Sequence, residues 1–316
     1  MTTYKEIFGK QVKQVSSDPT DAEAEGQIWF NTTEGVFKTV LNVAAFSSAA
    51  ALPTGTSTYN RAGTMTAGLF AGGNTSTGFS TATYEWNGSG WTSGGAIGTA
   101  LYSNTGFGTQ TAGASAAGRP TNGSSGDTNA TFEYDGSSWT SVNAANLAAR
   151  TRQSFGIQTA AAMVGGFSQS GGSYTNATEE YDGTNWTTVT VMPAATASAN
   201  AIGTQTAAIV SLGGAPTVAT TYVAYDGTNW TSSPSANIAR ARSAAGGTGA
   251  TSTAGLVIGG TPYNPSVVAE IWDGTSWSNS ASLTTARYGA GVSDGNTNGI
   301  IAGGRTAPGF ETAVEE

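Results

Sequence analysis

Residues 179–186 read EEYDGTNW, and residues 223–230 read VAYDGTNW. The same octad recurs as FEYDGSSW at 132–139, as EIWDGTSW at 270–277, and in a variant form, YEWNGSGW, at 84–91. The terminal tryptophans Trp91, Trp139, Trp186, Trp230 and Trp277 stand 48, 47, 44 and 47 residues apart. A period of that length marks a repeat architecture, in which each unit is one supersecondary element that buries its faces only against its neighbours. Asp-Gly ahead of the tryptophan is a hairpin signal, because both residues tolerate the left-handed region. The tryptophan can then lay a large apolar face over Gly-rich backbone of its own or the next unit.

Upstream of each octad an apolar run closes in Gly-Gly: Gly72-Gly73, Gly165-Gly166, Gly213-Gly214 and Gly259-Gly260, degraded once to Ala117-Gly118-Arg119. A sixth pair, Gly303-Gly304, follows the last octad. Short apolar runs bounded by Gly suit strands of stacked sheets. The pair permits positive φ where a strand leaves the crowded centre and lets neighbouring units approach. Six units follow, at about 55–95, 96–143, 144–190, 191–234, 235–281 and 282–316, within one domain over 26–316.

The sixth unit ends at AVEE, residues 313–316, which matches ATEE at 177–180, so the next strand must come from elsewhere or a sheet edge stays open. Residues 27–40, QIWFNTTEGVFKTV, offer it: Trp29-Phe30-Asn31 matches Glu85-Trp86-Asn87, and Phe37 stands in the tryptophan's role after a turn two residues longer. The expectation is that 26–45 completes the last unit. Residues 28–31 and 313–316 both remain candidates for its third strand. Residues 1–25 fall outside the repeat as a polar tail or attachment arm.

Composition narrows the chemistry. Of 316 residues only 10% are charged, against the usual quarter, and 38% are hydrophobic. Net charge is −8, and the 12 Lys and Arg never cluster, so no footprint for nucleic acid exists. Cysteine and histidine are absent, which removes disulfides, thiolate sites, and the commonest general base and metal ligand. No apolar run reaches the length of a signal-peptide core or a membrane span, so a cytoplasmic origin without membrane insertion is expected.

The recurring markers resemble the kelch repeat from about residue 55 to the end. The resemblance implies an all-β, six-bladed kelch-like β-propeller whose ring is closed by N-terminal strand in the last blade. Asn87 replaces the recurring Asp, and the first strand lacks histidine. Copper oxidases of kelch type need His and Cys, which this chain cannot supply. The octad is also similar to the Asp-box of sialidases, but that motif has one more residue between Asp and Trp.

Asp135, Asp182, Asp226 and Asp273 are read as Asx turns, one per blade, and not as a coordination sphere. No catalytic pair, metal site or cofactor is expected. Arg61, Arg150, Arg152, Arg240, Arg242 and Arg287 open first strands. They either line a pore mouth for an anion or make structural hydrogen bonds to carbonyls between blades. The loops after each Gly-Gly carry Phe79, Tyr174, Tyr263 and Phe310, placed on one face of the ring. These aromatics either recognise flat sugar surfaces or fold back over their own blades.

Residues 25–40, EGQIWFNTTEGVFKTV, resemble a segment of bacteriophage structural proteins, especially tail-fibre-like proteins of marine cyanophages, where Tyr-Asp-Gly-Thr-x-Trp repeats also occur. The resemblance implies a non-enzymatic virion component (tail fibre, neck appendage or capsid-surface decoration) present in several copies. It would contact virion proteins through its N-terminal segment and a host-surface glycan through its loops. A polysaccharide hydrolase or lyase and a cellular kelch scaffold are the alternatives.

Overall fold

The computed structural model describes residues 13–16, 28–39, 46–57, 60–120, 126–212, 216, 218–237, 244–246, 252–261, 265–293, 299–306 and 309–316. Among them there are strands, turns and irregular segments and no helix. The chain divides into two compact units, Met1–Ala45 and Phe46–Glu316.

In the second unit each repeat becomes one antiparallel meander. The first sheet runs Asn60–Thr64, Ala67–Ala71, Thr83–Trp86 and Trp91–Gly94. The same order recurs in the third sheet (Gln153–Ile157, Ala160–Val164, Thr178–Tyr181, Trp186–Val189) and the fourth (Ala201–Thr204, Ala207–Ser211, Tyr222–Tyr225, Trp230–Ser233). It recurs again in the fifth, Ala244–Gly246, Gly255–Ile258, Ala269–Trp272 and Trp277–Asn279. In the second sheet one long strand, Gly113–Pro120, pairs with both Leu101–Tyr102 and Thr105–Gly108 on one side and with Thr128–Tyr134 on the other. Trp139–Val142 completes it.

Each first strand lies against the first strand of the next sheet, and Gly291–Ser293 of the sixth lies against Asn60–Thr64 of the first. Apolar clusters fill the gaps between sheets. Phe155 and Val164 meet Val210 and Tyr225, and Phe70 and Trp86 meet Ile300 and Val314. The core is thus a series of layers between sheets, which is a β-propeller-like all-β arrangement.

The described glycine pairs adopt positive φ, for example 60° and 112° at Gly165 and Gly166. A Cβ at Gly165 would lie 2.4 Å from the Thr196 carbonyl oxygen of the following repeat. The second glycine of each described pair donates its N–H to the segment leading into the next sheet: Gly73 to Leu101, Gly118 to Ala149, Gly166 to Thr196, Gly260 to Arg287 and Gly304 to Thr56. The degraded marker keeps this geometry, with Ala117 at φ 59° and Gly118 at 106° in a β-bulge.

The sixth sheet is Gly291–Ser293, Ile300–Ala302, Val314–Glu315 and Ser48–Ala49. Its third strand is the C-terminal one, and its outer strand is Ser48–Ala49, with Val314 opposite Ala49 and Glu315 opposite Ser48. This corrects the assignment of 26–45 to that position. Ile28–Asn31 pairs instead with Val36–Thr39 and, in parallel, with Lys13–Val15. The reason is local: Asn31 Oδ1 accepts from the N–H groups of Thr33 and Glu34 at 3.0 Å, and Gly35 N–H returns to Asn31 O at 2.8 Å. The Trp-Phe-Asn likeness to an octad therefore reports the same Asx-turn chemistry and no place in a propeller sheet. Phe37 lies 5.1 Å from Phe30, edge to face, and is 53% exposed. Because Lys13–Val15 joins this sheet, the boundary falls after Ala45 and not after residue 25.

Candidate recognition face

The octad turns carry the carboxylates that are the obvious candidates for chemistry. Asp135 Oδ1 accepts the N–H groups of Ser137 and Ser138, both at 2.8 Å. Asp182, Asp226 and Asp273 do the same with the residues two and three places on, and Asn87 copies them with its amide oxygen. The Ser138 N–H and the Ser137 hydroxyl hold the Asp135 carboxyl down to about 2. Hydrogen bonds from Asn185, Asn229 and Ser276 N–H lower Asp182, Asp226 and Asp273 in the same way. These side chains close turns. Among the described residues no three Asp or Glu converge on one point.

The glutamates of the octads are committed too. Glu85, Glu133 and Glu180 accept the hydroxyls of Tyr134, Tyr181 and Tyr225 in the following sheet, the last two at 2.9 and 2.8 Å. Burial, and then the facing glutamate, pushes all three phenols well above the ordinary tyrosine range. Glu179 forms a buried ion pair with Arg152 and accepts Asn146 N–H at 2.7 Å. Glu315 pairs with Arg287 at 2.5 Å and accepts Thr284 N–H at 2.7 Å.

Arg152 and Arg287 are therefore structural. Their carbonyl partners, Met163 for Arg152 and Gly303 and Ala313 for Arg287, belong to their own repeats, so these contacts lie within a sheet and not between sheets. Arg61 reaches Gln153 Oε1 of the third sheet at 3.4 Å. Arg240 and Arg242 lie outside the described residues.

Two of the loops after Gly-Gly fold as small hairpins. Asn74–Thr75 pairs with Gly78–Phe79, and Phe79 stacks on Tyr102 of the second sheet at 5.0 Å and 17°. Phe167–Ser168 pairs with Ser173–Tyr174, and Tyr174 meets the Phe167 ring at 5.3 Å while remaining 38% exposed. The Arg150 guanidinium covers Phe167 at 4.6 Å and pairs with Asp127 at 2.9 Å. Phe310 lies under the Arg305 guanidinium at 4.7 Å. Tyr263 lies outside the described residues. Of the three described aromatics, Phe79 and Phe310 are half-buried supports for their neighbours, and Tyr174 alone presents a large exposed surface.

Sequence reading missed one recurrent element. Thr-Gln-Thr-Ala occurs at 109–112, 204–207 and, as Ile-Gln-Thr-Ala, at 157–160, on the octad period. Gln110 donates to Gly68 O and Trp86 O, Gln158 to Gly113 O and Tyr134 O, and Gln205 to Ala161 O and Tyr181 O. Each amide clamps the preceding sheet by two carbonyls. The spacing was visible, but the partners are backbone atoms that no side-chain pattern reports.

No family model matches the sequence, and no curated protein matches it. Solved structures do: 298 chains are similar in fold, so the scaffold itself says nothing of activity. One of them, YjhT, aligns with a TM-score of 0.68 at 16% identity, over 84% of this chain and 96% of its own. At that identity the likeness establishes a shared fold, and it is the fold that this chain and YjhT have in common.

Proposed function

We propose that residues 46–316 form a six-bladed kelch-like propeller sealed by the pairing of Ser48–Ala49 with Val314–Glu315. We infer further that the protein is a non-enzymatic structural component of a bacteriophage particle, as a tail fibre, neck appendage or capsid-surface decoration. In this reading the Met1–Ala45 unit contacts other virion proteins, the propeller stands outward in several copies, and the Gly-Gly loops meet a host-surface glycan. The resemblance of residues 25–40 and of the repeat style to phage proteins supports the setting.

The observation that carries the non-enzymatic part is the fate of the octad carboxylates. Glu85, Glu133, Glu179, Glu180 and Glu270 of the octads, and Glu315 at the matching place in the sixth repeat, are each engaged by tyrosine, arginine or backbone N–H, and the octad aspartates close their own turns. Acid–base hydrolysis of a glycoside needs two carboxyl groups flanking the scissile bond with one free to exchange a proton. The scaffold commits these groups to its turns and to contacts within and between sheets. The test is to localise the chain in intact particles by electron microscopy and to add the purified protein as a competitor of adsorption. Density for the propeller on the particle and reduced adsorption are expected. Absence from the particle, or release of reducing ends from polysaccharide by the purified protein, overturns the reading.

A further inference from the structure

We propose that Arg305 is the anion-reading group of the loop face, and that the glycan it takes is acidic, a saccharide bearing a carboxylate or a sulfate ester. This rests on the attachment reading above.

Two loops at the same place in the repeat differ in how they treat an arginine. In the third sheet the residue after Gly-Gly is Phe167, which bridges to Arg150, and the guanidinium lies on its ring. The charge of Arg150 is met by Asp127, whose side chain is buried, and by Gln169 Oε1 at 3.0 Å. In the sixth sheet the residue after Gly-Gly is Arg305, which bridges to Tyr288 and to Phe310 and lies on the Phe310 ring. Cation and aromatic have exchanged places.

The counter-ion has not followed. Asp127 comes from the loop after Gly118, ahead of the third sheet. The corresponding loop ahead of the sixth sheet, residues 261–267, reads TPYNPSV and contains no Asp or Glu. Glu311, on the same loop as Arg305, instead accepts the Thr306 hydroxyl at 2.6 Å. Among the described residues the Arg305 side chain makes no ion pair, and its Nε is buried without a hydrogen-bond partner.

A buried N–H without an acceptor is costly, and native structures normally supply one. A guanidinium stacked on a ring keeps its in-plane N–H groups available, and their fork matches a carboxylate or sulfate by two parallel bonds. In a chain of net charge −8, a half-buried arginine that makes no ion pair among the described residues is set to receive an anion from outside. On its own loop the one acid, Glu311, is held by the Thr306 hydroxyl, and residues 261–267 carry no charge.

Calorimetric titration tests this with three probes: an oligogalacturonate, a sulfated galacto-oligosaccharide and a neutral galacto-oligosaccharide. The wild-type protein should prefer at least one acidic probe, and that arm identifies carboxylate or sulfate. Arg305→Gln, checked for an unchanged melting curve, should weaken binding roughly tenfold or more, the effect of a lost hydrogen bond to a charged group. Arg305→Lys should recover little, since the fork is gone. Asp127→Asn, which frees the Arg150 charge, should tighten binding of the same probe. Equal binding of the neutral probe, wild-type affinity in folded Arg305→Gln, or no binding of either acidic probe overturns the inference, with water then the partner of Nε. The two readings fail separately. If Arg305→Gln protein still competes for adsorption like wild type, only the inference falls, whereas absence from the particle removes the attachment reading itself.

Discussion

The first four sheets and the last two are sealed by different chemistry. Between the first and second, second and third, and third and fourth sheets, a tyrosine donates to the preceding sheet's glutamate and a glutamine clamps two of its carbonyls. At the fourth-to-fifth junction the glutamate position is Ala224 and the tyrosine position is Trp272. The indole of Trp272 donates within its own repeat, to Ser252 O at 2.7 Å, and the turn that carried Gln reads Ala-Thr-Ser-Thr-Ala at 250–254. Apolar contact takes over: Ile202, Ile209 and Tyr222 pack on Val257, Trp272 and Trp277. Donor and acceptor were lost together, as expected where a half-satisfied buried pair is worse than none. What both halves share is the Arg–Glu pair, present as Arg152–Glu179 and Arg287–Glu315.

The largest effect should come from the strand that closes the sixth sheet. Deleting residues 1–45 should leave the melting transition of the second unit cooperative, whereas deleting 1–51 removes Ser48–Ala49 and should abolish it. Calorimetry decides, and a cooperative transition in the longer deletion would mean that Val314–Glu315 needs no outer partner.

The shared ion pairs come next. Glu179→Gln and Glu315→Gln each strand a buried guanidinium and should cost about 3–5 kcal/mol in chemical denaturation. Similar losses at both sites are expected, because the device is the same in both halves. A loss confined to one would assign the pair a local role.

The tyrosine latches sharpen the contrast. Tyr181→Phe leaves the Glu133 carboxylate short of a donor and should cost about 1–3 kcal/mol. Trp272→Tyr has no glutamate to meet and should gain nothing. Ala224→Glu with Trp272→Tyr should show favourable coupling of about 0.5–1.5 kcal/mol in a double-mutant cycle.

The smallest effects concern pH, and here the halves should separate. The phenols of Tyr134, Tyr181 and Tyr225 are raised in the fold, so their contribution is intact below the ordinary tyrosine value of about 10 and lost as pH climbs above it. Amide exchange at high pH should accelerate first in the first four sheets. The octad aspartates are lowered, so their contribution is present above the ordinary value of 3.8 and fades as pH falls from there through about 2 at Asp135. Those turns occur in both halves, so acid should loosen the second, third, fourth and fifth sheets alike. Uniform protection loss in alkali would remove the distinction.

Much of the fold was legible because it repeats. Trp139, Gly166 and Asp182 each recur on one period, and a local turn or strand end needs only its own few residues to specify it. The loop aromatics were visible as candidates, but their exposure was not. Phe79 and Tyr174 look equivalent in sequence, yet one stacks on Tyr102 and the other projects outward.

The sequence alone determined the repeat, the Asx turns, the positive-φ glycine pairs, and the absence of any histidine or cysteine chemistry. Those are properties of short stretches, whose backbone preferences and residue types are set without distant neighbours. Tertiary structure decided which strand closes the sixth sheet. Residues 27–40 carry the better octad likeness, but their hydrogen bonds are consumed by each other and by Lys13–Val15, which left Ser48–Ala49 to pair with Val314–Glu315. It also brought Asp127 beside Arg150, two residues of different repeats that no local pattern pairs.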